Sequence, residues 1–359
     1  MSIQDETYRR NPMETTQYRV CIVGCGRMGG TIDEEVRATP HGALPYSHAA
    51  GYTAFERTTI VAAADVVEAK AQSVCDKWDI PKYYLDYQEM IVQEEPDIIS
   101  IATRPGNHAD ITQFAAENGV KGIYCDKPLC ASMEEADAML AVCEEYNIKF
   151  NLGTQRRFTP GYIKMREILE SGELGERRSI IAYSGGSALW GYTHAADLIL
   201  FLASDSPIEY VQGNVAVDDA DFEDNRTDSD PGIVMGFIHF QNGINGISIL
   251  GTAYEFEVNC SEGTVRSLNN GLGFQLRKRQ GQFNEILDAQ FPVFERKSGT
   301  VGCIEDIVEA LDTDTETQGN IRLAHRSTEM VFAIVDSQRQ KGVRVPIPME
   351  NRGLYLGRW

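Results

Sequence analysis

Two stretches of the chain carry residue types at spacings that chemistry can use. The first is Gly24-Cys25-Gly26-Arg27-Met28-Gly29, directly after the apolar run Tyr18-Arg19-Val20-Cys21-Ile22-Val23. The second is Tyr124-Cys125-Asp126-Lys127-Pro128, which also closes an apolar run. In the first, Gly24 permits a tight turn, Gly26 lets the backbone approach a phosphate, and Gly29 allows helix and strand to pack closely. A pyrophosphate would rest on the helix N-terminus, where free N–H groups and the dipole favour an anion. Ligands of open α/β sheets bind at the carboxyl edge of the strands. Lys127, at the end of another strand, is therefore placed for redox chemistry beside a bound dinucleotide.

Two further groups complete that chemistry. Asp65 ends the apolar run Ile60-Val61-Ala62-Ala63-Ala64, where an acid can accept a hydrogen bond from a ribose 2′-hydroxyl and repel a 2′-phosphate. It lies further from Gly29 than the usual ~20 residues, and an insertion over 30–52 accounts for the excess. Val66-Val67-Glu68 offer no Arg or Ser for a 2′-phosphate, so NAD is expected and NADP is disfavoured. His194 carries an imidazole whose ordinary pKa, ~6.5, allows proton exchange near neutrality.

The elements that must position these residues are legible in the pattern. Strand-like runs at 18–23, 59–64, 98–102, 122–125 and 149–152 alternate with amphipathic stretches at 69–78, 108–118 and 132–146, the signature of a parallel sheet with crossover helices. Ser132 and Glu135 stand in capping-box spacing. Two prolines and a glycine (Pro40, Gly42, Pro45) preclude one continuous helix through the insertion, which is expected to lie over the cofactor edge. Past Arg157 the texture becomes β-rich, at 179–184, 208–217, 233–241, 244–252, 254–260, 263–268 and 274–279, with Asn242-Gly243 as a hairpin turn. Helical patterns return at 193–202, 303–311 and 321–340.

Composition sets the class. With 42% hydrophobic and 24% charged residues the chain is globular, and it is long enough for two domains. No run of ~18 apolar residues predicts a membrane helix, and the polar residues 1–17 read as a flexible tail rather than a signal peptide. A net charge of -20 argues against nucleic acid as a partner. Eight scattered cysteines without paired CxxC units predict reduced thiols in a cytoplasmic protein and no zinc site. The acidic stretch 218–224 lacks the glycine and terminal Glu of a calcium loop.

From about Tyr18 to Pro348 the sequence resembles the glucose–fructose oxidoreductase/inositol dehydrogenase (Gfo/Idh/MocA) family. The glycine turn, Ile101-Ala102-Thr103-Arg104-Pro105-Gly106-Asn107-His108, Asp126-Lys127-Pro128 in place of the family's Glu-Lys-Pro, and Gln155-Arg156-Arg157-Phe158 occur in family order. A later Asp…His pair maps onto Trp190 and His194, so the histidine is kept and the acid is lost. The resemblance implies an α/β protein: a Rossmann NAD-binding domain (18–150) and an α+β domain with an open, largely antiparallel sheet (151–359). That second domain would serve substrate binding and oligomerisation, with 321–340 packing back on the first.

The resemblance also implies oxidation or reduction at a CH–OH group of a sugar, inositol, other polyol or sugar-derived substrate, and a dimer or tetramer. Lys127 and His194 are the expected catalytic residues, and which of them is the base stays open. Cofactor contacts are expected from Gly24, Gly26, Arg27, Met28, Gly29, Asp65, Thr103, Arg104, His108, Asp126 and Lys127. Substrate contacts are expected from Arg157, Trp190, Tyr192, Tyr183 and Gln155. For several of these a plainer role is open: a salt bridge for Arg157, support of a turn for His108, core packing for Trp190. Relatives that retain NAD and cleave glycosides by transient oxidation, and non-enzymatic dinucleotide sensors, are the competing function classes.

Overall fold

The computed structural model describes residues 16–357 apart from 41, 219, 220, 281, 282 and 284. The expected tail lies, up to residue 15, outside the described residues, as does part of the acidic stretch 218–224.

The first domain runs β1 (Tyr18–Val23), α1 (Asp33–Arg37), α2 (His48–Ala54), β2 (Thr58–Ala64), α3 (Glu68–Trp78), β3 (Tyr83–Tyr84), α4 (Tyr87–Glu94), β4 (Ile98–Ile101), α5 (His108–Glu117), β5 (Gly122–Cys125), α6 (Met133–Glu145) and β6 (Lys149–Leu152). Its sheet has the order β3-β2-β1-β4-β5-β6 and every pairing is parallel. Strands covered on both faces must be apolar throughout, and β4, β5 and β6 are buried at every position. Register aligns the strand ends: Val23 pairs with Ala64 and Ile101, Ile101 with Cys125, and Cys125 with Leu152. The residues that follow, Gly24, Asp65, Ala102, Asp126 and Gly153, therefore form one edge. The strand order reverses between β1 and β4, so the crevice opens there.

The second domain continues with α7 (Pro160–Glu170), β7 (Arg177–Tyr183), α8 (Thr193–Leu202), β8 (Ile208–Ala216), β9 (Arg226–Thr227), β10 (Gly232–Phe240), β11 (Asn245–Ile249), β12 (Glu255–Cys260), β13 (Gly263–Leu268), β14 (Gly273–Gln280), β15 (Glu285–Ala289), α9 (Gly299–Thr313), α10 (Ile321–Arg339), β16 (Val345–Pro346) and β17 (Tyr355–Leu356). Nine strands form one sheet, β15-β14-β13-β12-β7-β11-β10-β8-β16, antiparallel except where β11 runs parallel to β7. Gly243, at φ +84°, makes the β10–β11 hairpin turn. Burial alternates along β12 and β13, as it must for a sheet with one face on a core.

Two features of the organisation go beyond the sequence reading. Helix α9 belongs by sequence to the second domain, yet it packs into the first. Cys303, Ile304, Ile307 and Val308 are buried in one cluster with Val20, Ile22, Ile98 and Tyr124. Burying each of the larger of these side chains contributes about 1.5–3 kcal/mol, so the first domain's core is closed by a segment from beyond residue 151. Helix α10 bridges as well, lying against β8 and against α6.

The second concerns 30–52, which is two helices and not one continuous helix, and lines the cofactor edge as expected. It folds as α1 and α2 joined by a loop that Asp33 organises, its Oδ1 accepting from the Tyr46 and Ser47 amides at 2.8 and 3.2 Å. The loop is tied to the start of α9: Thr300 Oγ1 donates to the Tyr46 carbonyl at 2.8 Å and Ser298 Oγ to that of Pro45. The insertion is thus a joint between the domains as well as part of the cofactor edge.

Candidate active site

A cleft of about 1190 Å³ follows the carboxyl edge of the parallel sheet. Asp65, Val66 and Lys70 line it beside β2, the glycine turn beside β1, Thr103 and Arg104 beside β4, and Asp126 and Lys127 beside β5. Gln155, Trp190 and His194 close it from the second domain.

The glycine turn has the shape that a dinucleotide requires. Gly24 sits at φ +100°, and a side chain there would lie 2.6 Å from the Ala102 carbonyl oxygen. At Gly29 an added Cβ would stand 2.0 Å from the Gly24 carbonyl oxygen, whereas at Gly26 it would meet no atom within 4 Å. Gly26 therefore leaves open space above the backbone, which is what a phosphate needs to approach it. Instead of a long helix, one wide turn over Arg27–Thr31 follows, closed by the Ile32 amide on the Arg27 carbonyl at 2.9 Å, and then five-residue α1. Arg27 and Met28 line the cleft, and the Arg27 guanidinium is held by Glu35 at 2.6 Å. Asp65 binds the turn itself: Oδ2 accepts from the Cys25 amide at 2.9 Å and Oδ1 from that of Val67 at 2.9 Å.

His108 is displaced from its expected role. It is wholly buried, its ring nitrogens lying 3.1 Å from the Leu129 carbonyl and 3.2 Å from that of Thr103. It braces the backbone beneath the cleft, and Asn107 is the residue of that turn that lines it.

At the other end two domains meet over Lys127. Its Nζ donates to the Trp190 carbonyl at 3.0 Å and stands 4.0 Å from the centre of the Trp190 ring. Burial pushes its pKa below the ordinary lysine value; Asp126 and Asp230 oppose that shift, while Arg156 and Arg27 add to it. Burial also raises the Asp126 carboxyl, to about 6. His194 is pushed well below the usual imidazole range by burial first, then by the charges of Arg156 and Lys127, and its Nδ1 has no partner among the described residues. The imidazole is therefore neutral at pH 7. Trp190 is 53% exposed, which excludes core packing for this side chain.

Three expected substrate contacts lie elsewhere. Arg157 is buried in an ion pair: Nε reaches both Asp197 oxygens at 3.0 and 3.1 Å, and Nη2 reaches Asp197 at 2.6 Å and Asp205 at 3.3 Å. Tyr192 is fully buried behind the Trp190 turn, and Tyr183 stacks under the Arg266 guanidinium at 4.6 Å; neither lines the cleft. Three residues that the sequence did not single out do contribute. Tyr46 lines the cleft from the insertion loop. Arg156 rests over Tyr254 with Nε on Asn270 at 2.9 Å, and its charge reaches both Lys127 and His194. Asp230 accepts from the Leu189 and Trp190 amides at 2.8 and 2.9 Å. Among the described residues no group of three or more His, Cys, Asp or Glu side chains is arranged to hold a metal ion.

With this geometry in place the class is clear: the first domain is an NAD-binding Rossmann fold. Residues 18–154 match the family model GFO_IDH_MocA, described as "Oxidoreductase family, NAD-binding Rossmann fold". The match covers the first domain alone, and that domain is similar to those of the Gfo/Idh/MocA oxidoreductases. Among curated relatives it is 28% identical over 161 residues to the uncharacterized oxidoreductase YrbE of Bacillus subtilis, covering 45% of this chain and 42% of that one. It is 32% identical over 120 residues to the inositol 2-dehydrogenase of Salmonella typhimurium, covering 33% and 35%. The matches thus span less than half the length of these relatives. The aldose-aldose oxidoreductase of Caulobacter crescentus has the same two-domain fold, with a TM-score of 0.73 at 17% identity over 92% of this chain and 100% of that one. No helix among the described residues is long and apolar enough to cross a membrane.

Proposed function

We propose that the protein is an NAD-dependent dehydrogenase that interconverts a secondary alcohol and a ketone on a sugar, inositol, other polyol or sugar-derived acid. One observation carries this reading: Lys127 from the first domain and His194 from the second line the same cleft as the glycine turn. The likeness to an inositol 2-dehydrogenase supports it. When bound, NAD⁺ supplies the hydride acceptor. The chain's own residues orient the carbinol and take its proton.

Electrostatics distinguishes the two candidate bases. A proton on His194 would add a buried charge beside Arg156 and Lys127, whereas a proton on Lys127 is favoured by Asp126 and Asp230. Lys127, shifted below its ordinary value, is therefore the group that receives the hydroxyl proton. Neutral His194 orients the same oxygen through a hydrogen bond. The deprotonated fraction of Lys127 grows with pH, so alcohol oxidation climbs through its pKa and ketone reduction declines. Trp190, broad and exposed in the cleft, offers a stacking face for a sugar ring.

NADH formation at 340 nm across inositols, aldoses and aldonic acids tests the reading. Turnover of at least one class is expected, and a protein that binds NAD⁺ but reduces it with no member would sink the proposal. Asp65→Ala removes the acceptor proposed for the ribose hydroxyl and the brace on the Cys25 amide. NAD affinity is expected to fall roughly tenfold or more, the scale of one hydrogen bond to a charged group, with weaker discrimination against NADP. An unchanged NAD/NADP ratio refutes the ribose role. The reading extends to a cytoplasmic homo-oligomer joined through the open sheet face, where Met235 and Ile249 are exposed; light scattering on the purified chain measures that association.

A further inference from the structure

The carboxylate missing at position 190 is met in space by one from elsewhere in the chain. Asp230 lies just before β10, and the backbone there zips onto the turn that precedes α8. The Ala188 amide donates to the Pro231 carbonyl at 2.8 Å and the Ile233 amide to that of Gly186 at 3.0 Å. Beyond the Ala188–Pro231 bond the Asp230 side chain takes the next two amides, Oδ1 from Leu189 and Oδ2 from Trp190. The same turn presents the Trp190 carbonyl and ring to Lys127 Nζ and leads directly into α8, which carries His194.

We infer that Asp230 is the positioning residue of the reaction centre: by fixing the Ala188–Tyr192 turn it sets where Lys127 and His194 stand, and its charge helps to hold the proton that Lys127 receives. The function in turnover rests on the dehydrogenase reading; the placement of Lys127 does not. A carboxylate is suited to both tasks. It accepts two amide bonds with its two oxygens, and it is the charge of opposite sign to the ammonium. An asparagine keeps one acceptor at nearly the same size and loses the charge. The other charged or titratable groups acting on Lys127 are Asp126 next to it in sequence, Arg156 in the turn after β6, Arg27 in the glycine turn and His194 on α8. All of these remain in the variants.

The test uses the full chain with Asp230→Asn and Asp230→Glu. With Asp230→Asn, the rise of kcat/KM with pH for alcohol oxidation moves to lower pH by about half a unit to one unit, the scale of one charge removed at a partly screened site. Its kcat also falls, by about tenfold, because the turn that orients Lys127 loosens, while NAD affinity stays as in the wild type. Asp230→Glu keeps the charge on a longer arm, so the pH limb stays in place while kcat remains reduced. Lys127 is titrated independently by the pH dependence of its acetylation with acetic anhydride, read from the labelled peptide by mass. That curve shifts in the same direction for Asp230→Asn. If both curves superimpose on the wild type and only thermal stability falls, Asp230 is a structural cap and the inference is overturned. If acetylation shifts but no alcohol is oxidised by the wild type, the placement of Lys127 stands and the dehydrogenase reading fails.

Discussion

Lys127→Ala is expected to lower kcat for alcohol oxidation by about a hundred- to a thousandfold, the usual loss on deleting one proton-transfer or oxyanion-stabilising group, with NAD affinity within a fewfold of wild type. The reason is geometric. Lys127 follows β5 at the point where the sheet edge meets the second domain, and its Nζ is held at 3.0 Å from the Trp190 carbonyl. No neighbour can replace it: His194 is held neutral by burial and by adjacent positive charge, and the Arg156 side chain is engaged with Asn270. The variant's residual rate should also lose the rise with pH that Lys127 titration produces. The glycine turn and Asp65 are untouched, so a fluorescence titration with NADH serves as the control for folding. A kcat within tenfold of wild type, on any substrate that the native protein oxidises, removes Lys127 from the chemistry.

Arg157→Leu should be the most damaging single change to stability, at about 3–5 kcal/mol. The guanidinium and the Asp197 carboxylate are 2% and 4% exposed, so removing one leaves the other charged in a place that water does not reach. Asp205 loses one of its two arginine partners, keeping Arg166, and the bond from Arg157 Nη1 to the Gln318 carbonyl at 2.9 Å disappears. Three segments are tied at this point: the turn after β6, helix α8, and the approach to α10. Denaturant titration measures the loss, and the double variant Arg157→Leu/Asp197→Leu should recover part of it, because no unpaired charge then remains on α8. A single-variant loss below about 1 kcal/mol contradicts this account of the pair.

Arg157 also illustrates how far the sequence can be read. Gln155-Arg156-Arg157-Phe158 announces a functional turn, but two adjacent arginines look alike until their partners are known. Asp197 and Asp205 come from forty and more residues downstream and bury Arg157, leaving Arg156 as the one whose charge reaches the cleft. Asp230 was illegible for the same reason: nothing near it in sequence refers to Trp190, and only the pairing of Gly232 with Ser187 brings them together.

Regular pattern fared better. The strands 18–23, 122–125, 149–152 and 263–268 and the helix 193–202 fall on the observed bounds, because apolar runs and period-two alternation report burial directly. Short elements escaped: α4, with four charged or amide side chains among its eight residues, and the two-residue β3 have too little pattern to declare themselves. The glycine turn was legible because backbone sterics leave few alternatives, whereas the neutrality of His194 depends on neighbours from other elements.

Helix α9 has a consequence for how the chain comes to be folded at all. Its side chains seal the face of the parallel sheet against Val20 and Ile22, yet it is made only after eight of the nine strands of the second sheet have been synthesised. At 5–20 residues per second, the delay between the last parallel strand and its cover is on the order of ten seconds or more. Through that interval the nascent Rossmann sheet presents an uncovered apolar flank. The two halves therefore do not mature one after the other: the first to be made cannot be finished until most of the second has been synthesised. Cutting the gene at the apparent domain boundary would sever a folding unit, not separate two.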